Sequence, residues 1–265
     1  LVGPIVRAIA PRDPRPVSAP LVVATAGGGG QPVDARRYVR AVADAHLLAR
    51  ARFPNLETVL VTGPYGEVPA NVERYAGLEV VRSSPDLDAL LGEATLVVSQ
   101  AGYNAVAEIR SLEKPAVLVP AYRKAEDQRA RALRLVRAGA AVLARPEARA
   151  IADRIEALLG SDEALAAMRS AHRKVPLLPK NREAALAVLR PAAIVNPEPT
   201  RHAARTPVKK VAIVAHDFAP KVGGMETVAR ALATTLLARD IDVRVYTTNR
   251  LGARSAGGLG DDVVA

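Results

Sequence analysis

The chain contains no cysteine and no tryptophan, and aromatic residues make up only 3% of it. Without cysteine it has neither a disulfide framework nor a thiolate metal site, which fits a reducing compartment such as the cytoplasm. So few aromatic rings argue against platforms on which nucleic-acid bases stack. The sequence also lacks a signal-peptide pattern and any apolar run close to the roughly 18 residues that a membrane span needs.

Positive charge is abundant, with a net charge of +10 over 265 residues. A basic chain suits nucleic acid, anionic lipid or phosphorylated substrates, although a genome rich in arginine and alanine codons explains the same composition. The positive residues are scattered and form no dense block. We therefore expect no nucleic-acid partner, and the basic charge is compatible with peripheral contact with a membrane.

Composition divides the chain into four parts. Residues 1–20 are rich in proline and arginine and are predicted to be a linker. Residues 21–190 alternate strands with helices, which predicts one doubly wound α/β domain around a parallel sheet. Residues 191–207 contain four prolines and form a second predicted linker. Residues 208–265 start a second, incomplete Rossmann-like βαβ unit, so we expect the sequence to be a fragment of a longer protein.

Hydrophobic periodicity predicts the individual elements. Asp34 is the predicted N-cap of the first helix, and Gly139 is expected to close the fourth. The predicted strands are 21–25, 58–63, 78–82, 94–99, 115–120, 140–144, 208–215 and 242–248. The predicted helices are 34–52, 84–94, 102–114, 125–140, 147–159, 162–173, 181–189 and 225–240.

Three strand-to-helix turns carry the candidate chemistry: AGGGGQ (26–31), SQAGYN (99–104) and AYRKAEDQ (121–128). Doubly wound sheets bind ligands at the carboxyl ends of their strands, so these turns are expected to converge. AGGGGQ lets backbone amides approach a phosphate, or is simply a flexible surface loop. It matches neither the dinucleotide fingerprint nor a P-loop, which disfavours a dehydrogenase.

Two carboxylates lie near the second and third turns. Gly102 opens a helix whose first amides can hold a phosphate, and Glu108 on the second turn can accept hydrogen bonds from two vicinal hydroxyls of a ribose. Alternatively, Glu108 is an ordinary solvated helix residue. Asp127 and Gln128 can bind sugar hydroxyls, although an acid such as Asp127 is also favoured in a first helical turn by the helix dipole.

These motifs, together with GPIVR (3–7) and PAVLVP (115–120), follow one another in the order and spacing of a known family. Residues 1–190 resemble the C-terminal donor-binding domain of glycosyltransferase family 28, the MurG-like group of GT-B fold. The resemblance implies a Rossmann-like half of a GT-B fold that binds a UDP-sugar, with the diphosphate near the glycine loop, the ribose on Glu108 and the donor sugar on Asp127 and Gln128. The implied donor-binding residues are Gly28, Gly29, Gly30, Gln31, Gly102, Tyr103, Asn104, Glu108, Asp127 and Gln128.

Residues 208–265 resemble a different group, the N-terminal start of the family 4 glycosyltransferases. The segment HDFAPKVGGMETVARALATTLLARDIDVRVYTTN carries this resemblance. It implies that Gly223 and Gly224 lie near donor phosphates and the acceptor. A generic βαβ unit is the alternative interpretation.

The resulting functional hypothesis is a hexosyltransferase that moves an N-acetylhexosamine or hexose from a UDP-sugar to an acceptor hydroxyl. The expected acceptor is a carbohydrate, a lipid-linked sugar or a small molecule. The expected location in the cell is the cytoplasm, at the inner face of the membrane. We expect no metal and no cofactor beyond the UDP-sugar substrate, and no catalytic residue is assigned. The alternatives are a non-catalytic nucleotide-sugar-binding module and a UDP-sugar 2-epimerase of GT-B fold.

Overall fold

The computed structural model describes residues 12–27, 32–63, 68, 70–84, 87–121, 127–174, 180–189, 210–215, 224–247 and 263–264. The chain divides into two compact units. The first unit comprises residues 8–177 with 222–224, and the second comprises residues 1–7, 178–221 and 225–265.

The first unit is a six-stranded parallel sheet with the strand order β3-β2-β1-β4-β5-β6. Its strands are β1 (Leu21–Thr25), β2 (Glu57–Val61), β3 (Leu78–Val81), β4 (Leu96–Ser99), β5 (Ala116–Leu118) and β6 (Ala141–Leu143). Its helices are α1 (Pro32–Arg50), α2 (Leu87–Glu93), α3 (Tyr103–Ser111), α4 (Gln128–Arg137), α5 (Ala148–Leu159) and α6 (Asp162–Lys174), with a 3-10 helix at Val72–Arg74.

The central strand β1 is apolar at almost every position because both faces of the sheet are covered. Val22 and Ala24 belong to one core cluster, which includes residues of α1 and α5. Leu21 and Val23 belong to a second cluster, which includes residues of α3 and α4. Successive side chains of a strand point to opposite faces, so a strand buried on both faces has no polar alternation.

The strand order reverses between β1 and β4, because β2 and β3 lie on one side of β1 while β4, β5 and β6 lie on the other. The fully buried Tyr38 of α1 donates from its hydroxyl to the carbonyl of Val98 in β4 at 3.0 Å. This hydrogen bond ties the helix that follows β1 to the neighbouring strand across the reversal. In doubly wound sheets such a reversal opens a crevice at the carboxyl ends of the strands.

Of the two predicted helix ends, the one at Gly139 is confirmed and the one at Asp34 is wrong. Gly139, at φ +75°, ends α4 as predicted: its amide and that of Ala140 donate to the carbonyls of Val136 and Leu135, both at 2.9 Å. The prediction that Asp34 caps α1 is wrong, because the helix begins at Pro32 and Asp34 lies inside its first turn. Proline is pre-set for the first helical position, and an acid in the first turn still complements the dipole.

The second unit contains a parallel sheet of order β7-β8-β9, formed by β7 (Lys210–Ala215), β8 (Asp242–Thr247) and β9 (Val263–Val264). α8 (Gly224–Leu237) connects the first two strands. α7 (Asn181–Leu189) packs in this unit, since Ala185 lies in the same buried cluster as Ala233 and Leu236. The predicted domain boundary at residue 190 placed this helix in the first domain, whereas its contacts group it with the second unit.

No helix in the described parts of the chain combines the length and the apolar character that a membrane crossing requires.

Lys114 is a buried cation at the amino end of β5, only 4% exposed. Its Nζ donates to the carbonyl of Gly92, and to that of Ala94 at 3.2 Å. Burial lowers the pKa of Lys114 to about 8; Arg169 lowers it further, while Asp13 and Glu93 raise it. The side chain thus joins the end of α2 and the loop before β4 to the start of β5, at the cost of desolvating an ammonium group.

We predict that Lys114 makes stability rise with pH. The unfolded chain holds this proton up to about pH 10.5 and the folded protein releases it near pH 8. The unfolded state therefore binds more protons across that window. Relative to Lys114→Met, the free energy of unfolding of the wild type should rise by on the order of 3 kcal/mol between those pH values. Urea unfolding at a series of pH values measures this, with Lys174→Met as the exposed control; parallel curves for wild type and Lys114→Met would contradict the assignment.

Candidate functional site

The candidate site lies where β1, β4 and β5 end. Thr25 pairs in register with Ser99, and Ser99 with Leu118, so the three strands reach the same edge of the sheet. The hydroxyls of Thr25 and Ser99 are hydrogen-bonded at 3.3 Å, and the amide of Gln100 donates to the carbonyl of Thr25 at 3.4 Å. These contacts hold the starts of two of the three predicted turns side by side.

The turn between β4 and α3 contains a left-handed alanine. Ala101 has φ +62° and is fully buried, and its amide donates to the hydroxyl of Ser99 at 3.4 Å. Gly102 is the residue predicted to open the helix after this turn, whereas the positive φ lies one residue earlier. A non-glycine residue in this conformation costs roughly 1–2 kcal/mol. Such strain is found where the surrounding structure holds a functional loop in place.

Gly102 is the N-cap of α3, with φ −59° and ψ 156° and no side-chain capping hydrogen bond. Among the described residues, no atom lies within 4 Å of a Cβ built on Gly102. Within the described part of the chain, no residue therefore covers the position where the Gly102 side chain would begin. Helix N-termini attract anions through their first N–H groups and the helix dipole, so this end can receive a phosphate.

Glu108 is a buried carboxylate, 7% exposed, on the second turn of α3. The helical period places it away from the stripe formed by Val106 and Ile109, which pack in the core, and on the same side as Asn104 one turn earlier. Burial rules out the alternative of a solvated helix position. A carboxylate is kept at a buried position only with polar partners, because its desolvation is costly.

The two polar residues that open α4 both have structural roles. Asp127 is exposed and caps the helix, since its Oδ1 accepts from the amide of Ala130 at 2.8 Å. Gln128 is 4% exposed, and its Oε1 accepts from the amide of Ala121 at 3.0 Å, which joins the two ends of the loop after β5. Capping uses one oxygen of Asp127, and a carboxylate has a second oxygen with which to accept from a ligand.

Arg131 contacts the candidate site and is not among the residues predicted from the sequence. It lies on α4 and donates from a guanidinium nitrogen to the carbonyl of Ala101 at 2.9 Å. The guanidinium carbon also lies 5.5 Å from the ring centroid of Tyr103, whose side chain is exposed. Arg131 thus brings the turns after β4 and β5 together. Its spacing was the available signal, because it follows Asp127 by four residues and Gln128 by three on the same helix.

Six predicted residues do not enter the geometry described above. Gly28, Gly29, Gly30, Gln31 and Gly223 lie outside the described residues, and Gly224 is the first residue of α8. Within the described ranges, no group of three or more His, Asp or Glu is placed to hold a metal ion. The ligand roles of the site residues stay predictions.

Three features lie together here: the sheet reversal at β1 and β4, the amino end of α3, and the buried carboxylate of Glu108 on the same helix. This is the arrangement in which doubly wound α/β domains bind nucleotides. Residues 25–182 match the glycosyltransferase family 28 C-terminal domain, and the chain belongs to this family. The predicted resemblance of the first unit is confirmed, while the resemblance of residues 208–265 to family 4 stays a prediction.

Two similar curated proteins are UDP-N-acetylglucosamine–N-acetylmuramyl-(pentapeptide) pyrophosphoryl-undecaprenol N-acetylglucosamine transferases. The protein of Methylobacterium sp. is 36% identical over 148 residues, which cover 54% of this chain and 36% of the relative. The protein of Chelativorans sp. is 39% identical over 95 residues, which cover 34% of this chain and 25% of the relative. The chain therefore spans about a third of these relatives or less.

Among solved structures, the crystal structure of MurG from Acinetobacter baumannii superposes with a TM-score of 0.51 at 20% sequence identity. The match covers 62% of this chain and 48% of MurG. It confirms the predicted fold class, a doubly wound parallel sheet that forms one half of a GT-B fold.

We predict that Asp127 stabilises the protein through its capping hydrogen bond. Asp127→Ala should lower the free energy of unfolding by about 1 kcal/mol, because the amide of Ala130 loses its acceptor, whereas Asp127→Asn should retain most of the stability. Urea denaturation of both variants at neutral pH measures the difference. Equal losses in the two variants would show that the charge, and not the cap, is what the helix requires.

Proposed function

We propose that this chain is the donor-binding region of a glycosyltransferase that transfers a sugar from a UDP-sugar to an acceptor hydroxyl. The observation that carries the proposal is the buried Glu108 one turn behind the amino end of α3, at the point where the strand order reverses. The family to which the chain belongs supports it.

The geometry suits a nucleoside diphosphate. The amino end of α3 receives the diphosphate, because its first N–H groups and the helix dipole favour an anion. Glu108 lies five residues after Tyr103, about 7.5 Å further along the helix axis. The ribose is the group next to the diphosphate in the nucleotide. A carboxylate at this distance from the phosphates can therefore accept hydrogen bonds from the two vicinal ribose hydroxyls.

The transfer step breaks the bond between the anomeric carbon of the donor and the diphosphate oxygen. The acceptor oxygen forms the new bond to that carbon and loses its proton to a base that we do not assign. UDP leaves with the electron pair, and the amino end of α3 stabilises the negative charge that develops on it. The family resemblance implies inversion at the anomeric carbon.

The donor sugar is proposed to contact Asp127 and Gln128, which open α4 at the same edge of the sheet. The names of the curated relatives support N-acetylglucosamine as the sugar and a lipid-linked acceptor. A lipid-linked acceptor places the reaction at a membrane surface, and we propose the inner, cytoplasmic face. The net charge of +10 favours contact with anionic lipids there.

We predict that the 265-residue chain binds UDP and not NAD in calorimetric titrations, and that it binds UDP more tightly than 2′,3′-dideoxy-UDP. Glu108→Gln should weaken UDP binding about tenfold or more and remove the preference for the hydroxylated ribose, because charge-assisted hydrogen bonds contribute roughly 1.5–3 kcal/mol. Glu163→Gln, an exposed acid on α6, is the matched control.

A folded wild-type chain that fails to bind UDP would refute the donor-binding proposal. If UDP binds, incubation with UDP-N-acetylglucosamine and a lipid-linked acceptor separates the remaining possibilities. Release of UDP together with a glycosylated acceptor supports transfer. Conversion of the sugar nucleotide without an acceptor indicates an epimerase, and binding without turnover indicates a non-catalytic module.

A further inference from the structure

We propose that Arg131 is a positioning residue of this site: it holds the turn between β4 and α3 in the conformation that receives the diphosphate. The inference rests on the proposed function and extends it to a residue that lies outside the three sequence motifs. Arg131 lies on α4, thirty residues from the turn that it contacts.

The first observation is the hydrogen bond to the strained residue. Ala101 has a positive φ without the conformational freedom of glycine, so its surroundings must hold it in place. Arg131 donates to its carbonyl at 2.9 Å, whereas the amide of Ala101 reaches the hydroxyl of Ser99 only at 3.4 Å. A hydrogen bond from a guanidinium is charge-assisted and stronger than a neutral one. Arg131 therefore makes the shorter and stronger of these two contacts.

The second observation is the contact on the other side of Gly102. The guanidinium carbon of Arg131 lies 5.5 Å from the ring centroid of Tyr103, within the range of a cation–π interaction. A planar guanidinium can donate from its edge while its face meets an aromatic ring, which an ammonium group cannot reproduce. Arg131 thus contacts the residues on both sides of Gly102 and sets the direction in which α3 begins.

The third observation is electrostatic. The amino end of α3 carries the positive end of the helix dipole, and Arg131 adds a full positive charge beside it. An anion bound at this end interacts favourably with both. We therefore expect Arg131 to matter for ligands that carry the diphosphate and not for the nucleoside alone.

The test is a calorimetric comparison of UDP with uridine on the full 265-residue chain. Arg131→Met should weaken UDP binding tenfold or more and change uridine binding less than twofold. Arg131→Lys should recover only part of the loss, since it keeps the charge without the planar fork. Arg134→Met is the matched control, because Arg134 is an exposed residue of the same helix, and it should bind UDP like the wild type.

A second variant separates positioning from charge. In the double variant Ala101→Gly with Arg131→Met, glycine adopts the positive φ without being held, so UDP affinity should recover at least threefold over Arg131→Met alone. Thermal unfolding of each variant accompanies the titrations to show that it is folded.

Wild-type UDP affinity in Arg131→Met would overturn the positioning role while the proposed function stands. An equal loss of UDP and uridine affinity, or no recovery in the double variant, would also overturn it. If the folded wild type binds neither ligand, the proposed function itself fails, and that outcome is distinct because it does not involve the variants.

Discussion

The parallel pairing of β1 with β4 is the contact on which the rest of the first unit depends. Val22, Val23, Val97 and Val98 are all fully buried, so this strand pair must be covered by helices on both faces. To place helices on both faces, the chain adds β2 and β3 on one side of β1. It then returns and adds β4, β5 and β6 on the other side. The candidate site lies at the reversal between these strands, which is where doubly wound sheets bind ligands.

Polar groups are buried at both ends of the strands, with different consequences. At the amino ends, Lys114 donates to two carbonyls, and its own carbonyl lies 3.0 Å from Nε2 of the buried His172. These contacts join loops and bear on stability. At the carboxyl ends, the polar groups lie around the amino end of α3 and the strained turn before it. Among the described residues no buried side-chain nitrogen or oxygen lacks a hydrogen-bond partner. The fold therefore satisfies the buried polar groups at both ends of the strands.

Local patterns predicted the elements well because the information lies within a few residues. β1 and α7 have the predicted bounds, and Gly139 ends α4 as its type suggests. The start of α1 differed, because proline and aspartate are both favoured near a helix start and only the folded chain decides between them. The packing partner of α7 was not predictable, since its small apolar face fits any complementary surface.

The sequence by itself determined the alternation of strands and helices, the order of the glycine turns and the residue types offered at each turn. Tertiary structure alone decided that Glu108 is buried, that the left-handed residue is Ala101, and that Arg131 reaches it from α4. The physical reason is range. Hydrophobic periodicity and capping act over one or two helical turns, whereas the burial of a charge and a hydrogen bond across thirty residues depend on which strands pair.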